Sequence, residues 1–302
     1  MDYSLFTEFC KEVGLEVKLN EPMKNHNGFK TGGNADIFVT VNDTDTLCLL
    51  VETANSLGVP LFILGKGSNL LVSDKGIEGA VVSLRLMDEI SIDGETVTAE
   101  AGTSLTALCV AVANEGLSGL EFAYGIPGTV GGALYMNAGA YGGEIKDVVI
   151  SADFVSSCGE TGTTTKENMN LGYRTSCFKT DSNIITKVTF KLTKGDKAEI
   201  WDKMNTLMGK RRDKQPLEYP SAGSTFKRPE GYFAGALIEE NGLKGVSVGG
   251  AQVSEKHAGF VINKSNATTK DILDLMKKVQ DTVFENNGVK LEPEVIFVGR
   301  EQ

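Results

Sequence analysis

Two glycine-rich segments carry residue types that bind phosphate groups through the polypeptide backbone. The longer one, residues 125–143, holds seven glycines in 19 residues, together with Thr129 and Asn137 and no charged residue. An average composition would give about one glycine. Because glycine permits positive φ and close backbone approach, successive N–H groups can point at one anion. The segment therefore predicts a phosphate-binding loop, with a turn-rich connection that binds no ligand as the alternative.

The shorter glycine-rich segment, residues 64–71, follows the apolar run 60–64. It reads Leu-Gly-Lys-Gly-Ser-Asn-Leu-Leu, so backbone amides and a small hydroxyl come directly after a predicted strand. Backbone amides and small hydroxyls at such a place can contact a phosphate, although this segment alone is a weak signal. The spacing matches neither a Walker A loop nor a Rossmann fingerprint, because Leu70 stands where the third Rossmann glycine belongs. Two such segments in one chain indicate one elongated ligand with two phosphates, such as a dinucleotide.

Three polar side chains in the second half of the chain are suited to catalysis. Arg174 lies beside Tyr173 in a predicted loop, where a guanidinium can bind a carboxylate or phosphate or simply stack on the tyrosine. Ser224 has no histidine nearby, which argues against an acyl-transfer nucleophile, although a hydroxyl can donate a proton as a general acid. Glu294 precedes an apolar strand and is therefore a better candidate than Glu292, which solvent alone would satisfy.

Charge and composition exclude several classes of protein. Thirty Lys and Arg against 40 Asp and Glu give a net charge of −10, which disfavours nucleic acid as a partner. Residues 209–228 nevertheless carry six basic and two acidic residues, which predicts a local anion site or a solvated helix end. His26 and His257 are too few for a multi-histidine metal site. No metal is expected, and the roles of both histidines, Arg211 and Arg212 stay open.

Length and cysteine usage bound the organisation and the compartment. The 302 residues fit two domains. The five scattered cysteines form no pair motif, and neither a signal core nor an apolar run of roughly 18 residues is present. These features predict a cytoplasmic chain with reduced thiols and no membrane contact.

Hydrophobic periodicity predicts an α+β fold with mixed sheets in more than one lobe. Too many short strands follow one another for a βαβ repeat, and the main boundary is placed at residues 194–197. The predicted helices cover residues 2–14, 43–57, 103–115, 196–212 and 269–287. Gly58, Gly116 and Gly288 are expected to end the second, third and last of these helices, and Thr268 is expected to be the N-cap of the last one. The predicted strands cover residues 36–41, 60–64, 80–84, 88–92, 96–100, 148–156, 183–192, 246–248, 259–262 and 294–298.

Seven motifs in order closely resemble the UDP-N-acetylenolpyruvoylglucosamine reductase (MurB) family of bacterial peptidoglycan synthesis. They lie at residues 31–36, 64–69, 125–132, 137–142, 173–174, 223–227 and 291–294. The resemblance implies a two-lobed FAD-binding domain of the p-cresol methylhydroxylase/vanillyl-alcohol oxidase (PCMH/VAO) type, followed by a smaller α+β substrate-binding domain. The implied ranges are residues 1–194, with lobes at about 20–85 and 86–194 after a leading helix, and residues 195–302. The short segment that leads to Gly223, residues 219–223, is similar to that of the shorter, type II members of the family.

The resemblance also implies non-covalent FAD, NADPH as the reductant and a UDP-sugar substrate, in a protein expected to be a monomer. Tyr173, Lys214 and Lys227 match substrate-binding positions. Arg228 stands where many relatives have asparagine. The contact between that asparagine and the diphosphate is therefore not carried over to this chain. The implied cofactor-binding residues are Gly65, Lys66, Gly67, Ser68, Asn69, Leu70, Gly125, Ile126, Pro127, Gly128, Thr129, Gly132, Ala133, Asn137, Gly139 and Ala140.

The implied reaction reduces UDP-N-acetyl-3-O-(1-carboxyvinyl)-glucosamine to UDP-N-acetylmuramate in a ping-pong sequence in which NADPH binds first. Arg174 and Glu294 match the positions that stabilise charge on the substrate carboxylate. Ser224 matches the proton donor to C2, with Lys227 as the cation that would assist so weak an acid. Two alternatives are a flavin oxidase of the same superfamily and a non-catalytic nucleotide-sugar-binding protein.

Overall fold

The structure is a computed structural model that describes residues 3–301. The long predicted helices are confirmed, while the predicted start at residue 2 lies outside the described residues. The short α4 and α6 were not predicted. The helices are α1 (Ser4–Glu12), α2 (Thr44–Leu57), α3 (Leu105–Asn114), α4 (Val130–Tyr135), α5 (Lys197–Lys214), α6 (Ala234–Glu240) and α7 (Thr269–Asn287). No helix within this range combines the length and the apolar character needed to cross a bilayer.

Each predicted strand overlaps an observed one, and the unpredicted strands are short or polar. The strands are β1 (Glu16–Pro22), β2 (Asn34–Thr40), β3 (Leu61–Leu64), β4 (Leu70–Val72), β5 (Ile77–Ser83), β6 (Ile90–Asp93), β7 (Thr96–Glu100), β8 (Leu117–Ser118), β9 (Gly139–Ala140), β10 (Gly143–Glu144), β11 (Val149–Val155), β12 (Thr161–Thr165), β13 (Ile184–Lys191), β14 (Thr193–Lys194), β15 (Ser247–Val248), β16 (Ala251–Val253), β17 (Val261–Asn263) and β18 (Ile296–Val298).

The chain packs as two compact units, and both are discontinuous in sequence. The first comprises the chain up to Leu19, Ile37–Lys66 and Gly79–Lys210, and the second comprises Asn20–Asp36, Gly67–Glu78 and the chain from Arg211 onward. These units are defined by packing. A division by function at residues 194 and 195 stays a prediction.

The two largest sheets and the larger of the two hydrophobic cores lie mainly in the first unit. One sheet has the order β1-β2-β5-β3, and the other is an antiparallel sheet with the order β12-β11-β13-β7-β6. Helix α2 buries one apolar stripe that includes Leu47, Leu50 and Ala54. It begins where the Asp43 side chain accepts the Thr46 N–H (2.7 Å) and ends at Gly58, which adopts φ +66°. These end signals are local, which is why the sequence predicted this helix well.

The second unit is built around α7 and the antiparallel sheet β15-β16-β17. The buried stripe of α7 includes Ile272, Met276 and Val279. Thr268 is the N-cap of this helix, as the sequence predicted, and it forms a capping box with Asp271. Strand β4 pairs in parallel with β18, so two segments from distant parts of the sequence form one ladder.

Glu121 is a buried carboxylate in the first unit, four residues before the start of the longer glycine-rich segment. Its side chain accepts hydrogen bonds from Ser118 Oγ (2.6 Å) and the Gly119 N–H (3.0 Å), and it lies 3.4 Å from Lys203 Nζ. Burial opposes ionisation, but these hydrogen bonds and the lysine charge outweigh it. The pKa of Glu121 is therefore held below its usual value.

We expect Glu121→Gln to destabilise the protein by roughly 1.5–3 kcal/mol near pH 7, because a charge-assisted network is lost. A lowered folded-state pKa gives stability that is present above the ordinary value of 4.5 and lost as the pH falls through the folded-state pKa. The difference in Tm between wild type and variant should therefore shrink in acid. Thermal unfolding near pH 7 and in acid, below the folded-state pKa of Glu121, measures this difference in Tm. Glu240→Gln, at an exposed position, is the control. An equal difference at both pH values would contradict the assignment.

Candidate active site

The two glycine-rich segments meet in the first unit. Thr129 begins α4, and its Oγ1 accepts the Gly132 N–H (3.3 Å). A Cβ built on Gly65 would lie 2.7 Å from the same oxygen, closer than real Cβ atoms approach their neighbours. The main chain at Gly65 and Gly132 is exposed. The structure thus brings together residues of both predicted phosphate-binding segments and leaves backbone uncovered beside them.

The continuation of the shorter segment lies in the second unit and is fixed by main-chain contacts. Gly67 has φ +67°, and a Cβ there would lie 2.1 Å from the carbonyl oxygen of His26. Only glycine fits this approach. Asn69 Nδ2 donates to the main-chain oxygen of Glu294 (3.1 Å), which places two further predicted site residues in contact.

A β-hairpin forms the end of the longer glycine-rich segment. Strands β9 and β10 pair across Tyr141 (φ +54°) and Gly142 (φ +89°), the positive-φ pair that a two-residue hairpin turn requires. Wholly buried Asn137 donates through Nδ2 to Glu144 Oε2 (3.0 Å) and to the Gly172 carbonyl (2.9 Å). Both amide N–H groups are engaged within the protein, so a contact of this side chain with FAD stays a prediction.

Arg174 lies at the tip of a tight turn that contacts this hairpin. Reciprocal backbone hydrogen bonds between Gly172 and Thr175 close the turn, and Arg174 takes φ +56°. Its Nη2 donates to the Gly139 carbonyl (3.4 Å), and its Cζ lies 5.2 Å from the centroid of the Tyr173 ring. The stack on Tyr173 is therefore present, and the arginine also lies against the longer glycine-rich segment.

Ser224 and Glu294 lie on adjacent segments of the second unit. The Glu294 N–H donates to the Thr225 carbonyl (2.8 Å), and the Lys227 N–H donates to the Glu292 carbonyl (2.8 Å). Thr225 is fully buried and its Oγ1 accepts the Val261 N–H (2.8 Å), so it anchors the segment. Ser224, the residue before this anchor, is exposed. Of the predicted catalytic residues, the second unit holds Ser224 and Glu294.

The predicted substrate-binding lysines reach solvent and differ in their surroundings. Lys227 Nζ lies 3.2 Å from Glu292 Oε2, so its charge is paired. Lys214 is the last residue of α5, which agrees with the alternative of a solvated helix end. The Arg228 guanidinium lies 4.0 Å from the centroid of the Phe233 ring.

Two residues that were not predicted from the sequence, Glu144 and Lys179, touch the candidate site. Glu144 bonds to Asn137, and Lys179 Nζ donates to the Arg174 carbonyl (2.8 Å). A signal for Glu144 was available. If the Tyr141 and Gly142 pair is taken as a two-residue hairpin turn, Glu144 must lie opposite Gly139.

Comparison with known proteins establishes the family. A family model described as UDP-N-acetylenolpyruvoylglucosamine reductase, C-terminal domain, matches residues 215–298, and one described as FAD binding domain matches residues 35–165. The UDP-N-acetylenolpyruvoylglucosamine reductase of Exiguobacterium sibiricum is 50% identical, covering 98% of this chain and 97% of its own length. This chain belongs to the UDP-N-acetylenolpyruvoylglucosamine reductase family. The relative from Clostridium tetani is 48% identical over the same shares of both chains.

Solved structures agree with membership of the reductase family. The crystal structure of UDP-N-acetylenolpyruvylglucosamine reductase (MurB) from Thermus caldophilus matches with a TM-score of 0.80 and 35% identity, covering 94% of this chain and 98% of that one. Alkyldihydroxyacetonephosphate synthase matches with a TM-score of 0.51 and 19% identity over 64% of this chain and 41% of its own, which is similarity of fold alone. The predicted α+β fold with an FAD-binding PCMH/VAO-type domain is confirmed, and so is the predicted family.

The residues of the first unit fit the FAD that this family binds. An FAD pyrophosphate needs donors that reach it without a long side chain in the way. The exposed main chain of Gly65 beside Thr129 offers this, and a Cβ at position 65 would fill the space next to the threonine hydroxyl. We infer that these residues hold the pyrophosphate.

We expect Gly65→Ala to weaken FAD binding about tenfold, equivalent to about 1.4 kcal/mol, because the new methyl group displaces the Thr129 hydroxyl. Fluorescence titration of the apoprotein with FAD measures the change. Gly209→Ala is the matched control, since Gly209 lies within α5 and no atom outside that helix lies within 4 Å of the position that the new methyl group would take. Unchanged FAD affinity in Gly65→Ala would refute the placement of the pyrophosphate.

Proposed function

We propose that this protein uses NADPH and bound FAD to reduce UDP-N-acetyl-3-O-(1-carboxyvinyl)-glucosamine to UDP-N-acetylmuramate, a step of peptidoglycan precursor synthesis. The observation that carries this proposal is the 50% identity to a UDP-N-acetylenolpyruvoylglucosamine reductase over 98% of the chain. The five free cysteines favour a reducing compartment, so we place the enzyme in the cytoplasm.

The reaction adds two hydrogens across the carbon–carbon double bond of the enolpyruvyl group. When bound, FAD supplies hydride transfer between NADPH and C3 of that group. Negative charge then grows on the substrate carboxylate, so the protein must stabilise that charge and deliver a proton to C2. The first unit would hold FAD through the residues of the two glycine-rich segments, and the segment from residue 195 onward would bind the substrate.

Arg174 is the proposed cationic partner of the substrate carboxylate. Its guanidinium keeps its charge and presents paired N–H groups to two carboxylate oxygens. Glu294, in its protonated form, would donate a hydrogen bond to the same group. Ser224 Oγ would give its proton to C2, and its exposure agrees with contact with a ligand.

The substrate diphosphate needs cations, and we assign Lys214 and Lys227 to this role. Tyr173 is assigned to substrate binding as well. Lys227 Nζ lies 3.2 Å from Glu292 Oε2. Because this ion pair is exposed, its strength is modest. A diphosphate can therefore compete for the lysine at little cost.

The deciding experiment is anaerobic stopped-flow absorbance of the purified protein, which should be yellow. NADPH should bleach the flavin, and the enolpyruvyl sugar nucleotide should then restore the colour. Mass spectrometry should find a product equal to the substrate plus two hydrogens. Oxygen consumption with small alcohols and without NADPH would support the flavin oxidase instead. Binding of UDP-sugars without oxidation of NADPH would support the non-catalytic alternative.

A further inference from the structure

We propose that Asn137 and Glu144 are positioning residues that fix the turn carrying Arg174, and thereby the place of its guanidinium toward the substrate carboxylate. This inference rests on the proposed function. It adds a role for two side chains that make no reaction step themselves. All of the contacts that support it lie within the first unit.

Asn137 connects three parts of the chain from a fully buried position. It follows α4 with φ +42°, a conformation that asparagine tolerates better than most residues. Nδ2 donates to Glu144 Oε2 (3.0 Å) and the Gly172 carbonyl (2.9 Å), while Oδ1 accepts the Lys146 N–H (2.9 Å). Gly172 is one of the two residues that close the Arg174 turn. The amide therefore links this turn directly to the hairpin.

Glu144 fixes the orientation of the Asn137 amide. Its Oε2 also lies 2.7 Å from Lys146 Nζ. The pKa of Glu144 is held below its usual value, first by the hydrogen bond with Lys146 and then by the one from Asn137 and the charges of Lys146 and Arg174. An ionised carboxylate accepts hydrogen bonds only, so it selects the amide orientation in which Nδ2 donates.

The Arg174 turn is tied to the same region from its other side. Lys179 Nζ donates to the Arg174 carbonyl (2.8 Å), and Ser176 Oγ donates to the Tyr135 carbonyl at the end of α4 (2.8 Å). Arg174 itself has φ +56°, a conformation that residues other than glycine adopt only rarely and that is unfavourable for an arginine. These contacts over-determine the turn, which is what holds a residue in such a conformation.

A fixed guanidinium matters because catalytic groups act only from a narrow range of positions. A displacement of about 1 Å can cost about 10²-fold in rate. The Arg174 Nη2 contact with Gly139 (3.4 Å) sets the side chain against β9, the strand opposite Glu144. Asn137 and Glu144 thus control both the main chain of the turn and the surface against which the arginine lies.

Asn137→Asp is the principal test. Aspartate tolerates positive φ and keeps the oxygen that accepts the Lys146 N–H, but it replaces the Nδ2 donor with an oxygen facing Glu144 and Gly172. We expect the step in which substrate reoxidises the flavin to slow by roughly 10–100-fold. Reduction by NADPH and FAD content should stay within about twofold of wild type. Glu144→Gln, which removes only the charge, should give a smaller effect of the same kind.

A double-mutant cycle separates positioning from general damage. In an Arg174→Ala background, Asn137→Asp should slow the substrate step by less than about twofold further, because the group that it positions is gone. Asn263→Asp is the matched control. It alters a buried asparagine of the second unit that also donates to a main-chain carbonyl and accepts a main-chain N–H. It should lower Tm and leave the ratio of the two half-reactions unchanged.

If the wild-type enzyme turns over, three results for Asn137→Asp would overturn the positioning role. They are equal slowing of both half-reactions, loss of FAD, and full additivity with Arg174→Ala. Failure of the wild-type protein to transfer hydride to the enolpyruvyl substrate would instead overturn the proposed function. In that case this inference would fall with it. The two failures are therefore told apart by the wild-type protein alone.

Discussion

Replacing Ser224 by alanine should leave flavin reduction by NADPH intact and slow turnover of the enolpyruvyl substrate by about 10²–10⁴-fold, the usual contribution of a general acid. The hydroxyl is the proposed source of the proton that reaches C2, whereas reduction by NADPH needs no such proton. Thr225 anchors the backbone at this point through its own buried hydroxyl, so the substitution should not move the segment. Stopped-flow measurement of the two half-reactions checks both statements.

Two further serine variants sharpen this test. Ser224→Cys keeps a group that can donate a proton and should retain more turnover than Ser224→Ala. Ser247→Ala removes an exposed hydroxyl on β15 in the same unit and should leave both half-reactions unchanged. Near-normal turnover of Ser224→Ala would show that another group supplies the proton.

Arg174→Ala should slow the substrate half-reaction by about 10²–10³-fold, the typical cost of removing one donor that stabilises transition-state charge. The loss should appear in the rate of the step, because the charge that Arg174 meets develops only there. Arg174→Lys keeps the charge but loses the paired N–H groups, so it should recover only part of the rate. Rapid-reaction kinetics with saturating substrate measures all of these variants.

Arg85→Ala is the control for loss of a positive charge from the first unit. Arg85 is an exposed cation that lies 3.7 Å from Glu16, and its removal should change the substrate step by less than about twofold. If Arg174→Ala slowed reduction by NADPH as strongly as it slowed the substrate step, the assignment of Arg174 to the substrate carboxylate would be wrong.

The elements that the sequence predicted are those with local signals. Helix α7 carries a periodic apolar stripe, a capping box at Thr268 and a glycine at its end, all within one short stretch. Helix α4 was not predicted because two glycines in six residues hide it. Strand β12 was not predicted because its side chains are threonines and a glycine with no apolar alternation. It is a strand because it pairs along β11, a fact of tertiary structure.

The residues of the candidate site could be predicted from the sequence, but the contacts between them could not. Residue types and spacing pointed to the glycine-rich segments, Arg174, Ser224 and Glu294. What the sequence could not give are contacts between residues far apart, such as the bond from Asn137 to Gly172, which spans 35 positions. No local pattern encodes such a pair, because it exists only once the hairpin and the turn have both formed. The family motifs identify the residues, and the fold alone assigns them partners.

The ladder between β4 and β18 has a consequence for biosynthesis. Asn69, beside β4, is bonded to Glu294, which is translated 225 residues later. A nascent chain therefore displays β4 without its neighbour until β18 has been translated. Such distant pairing slows maturation. A truncation that ends before Ile296 should consequently yield a polypeptide that chaperones and proteases recognise as incomplete, because the ladder between β4 and β18 then cannot form.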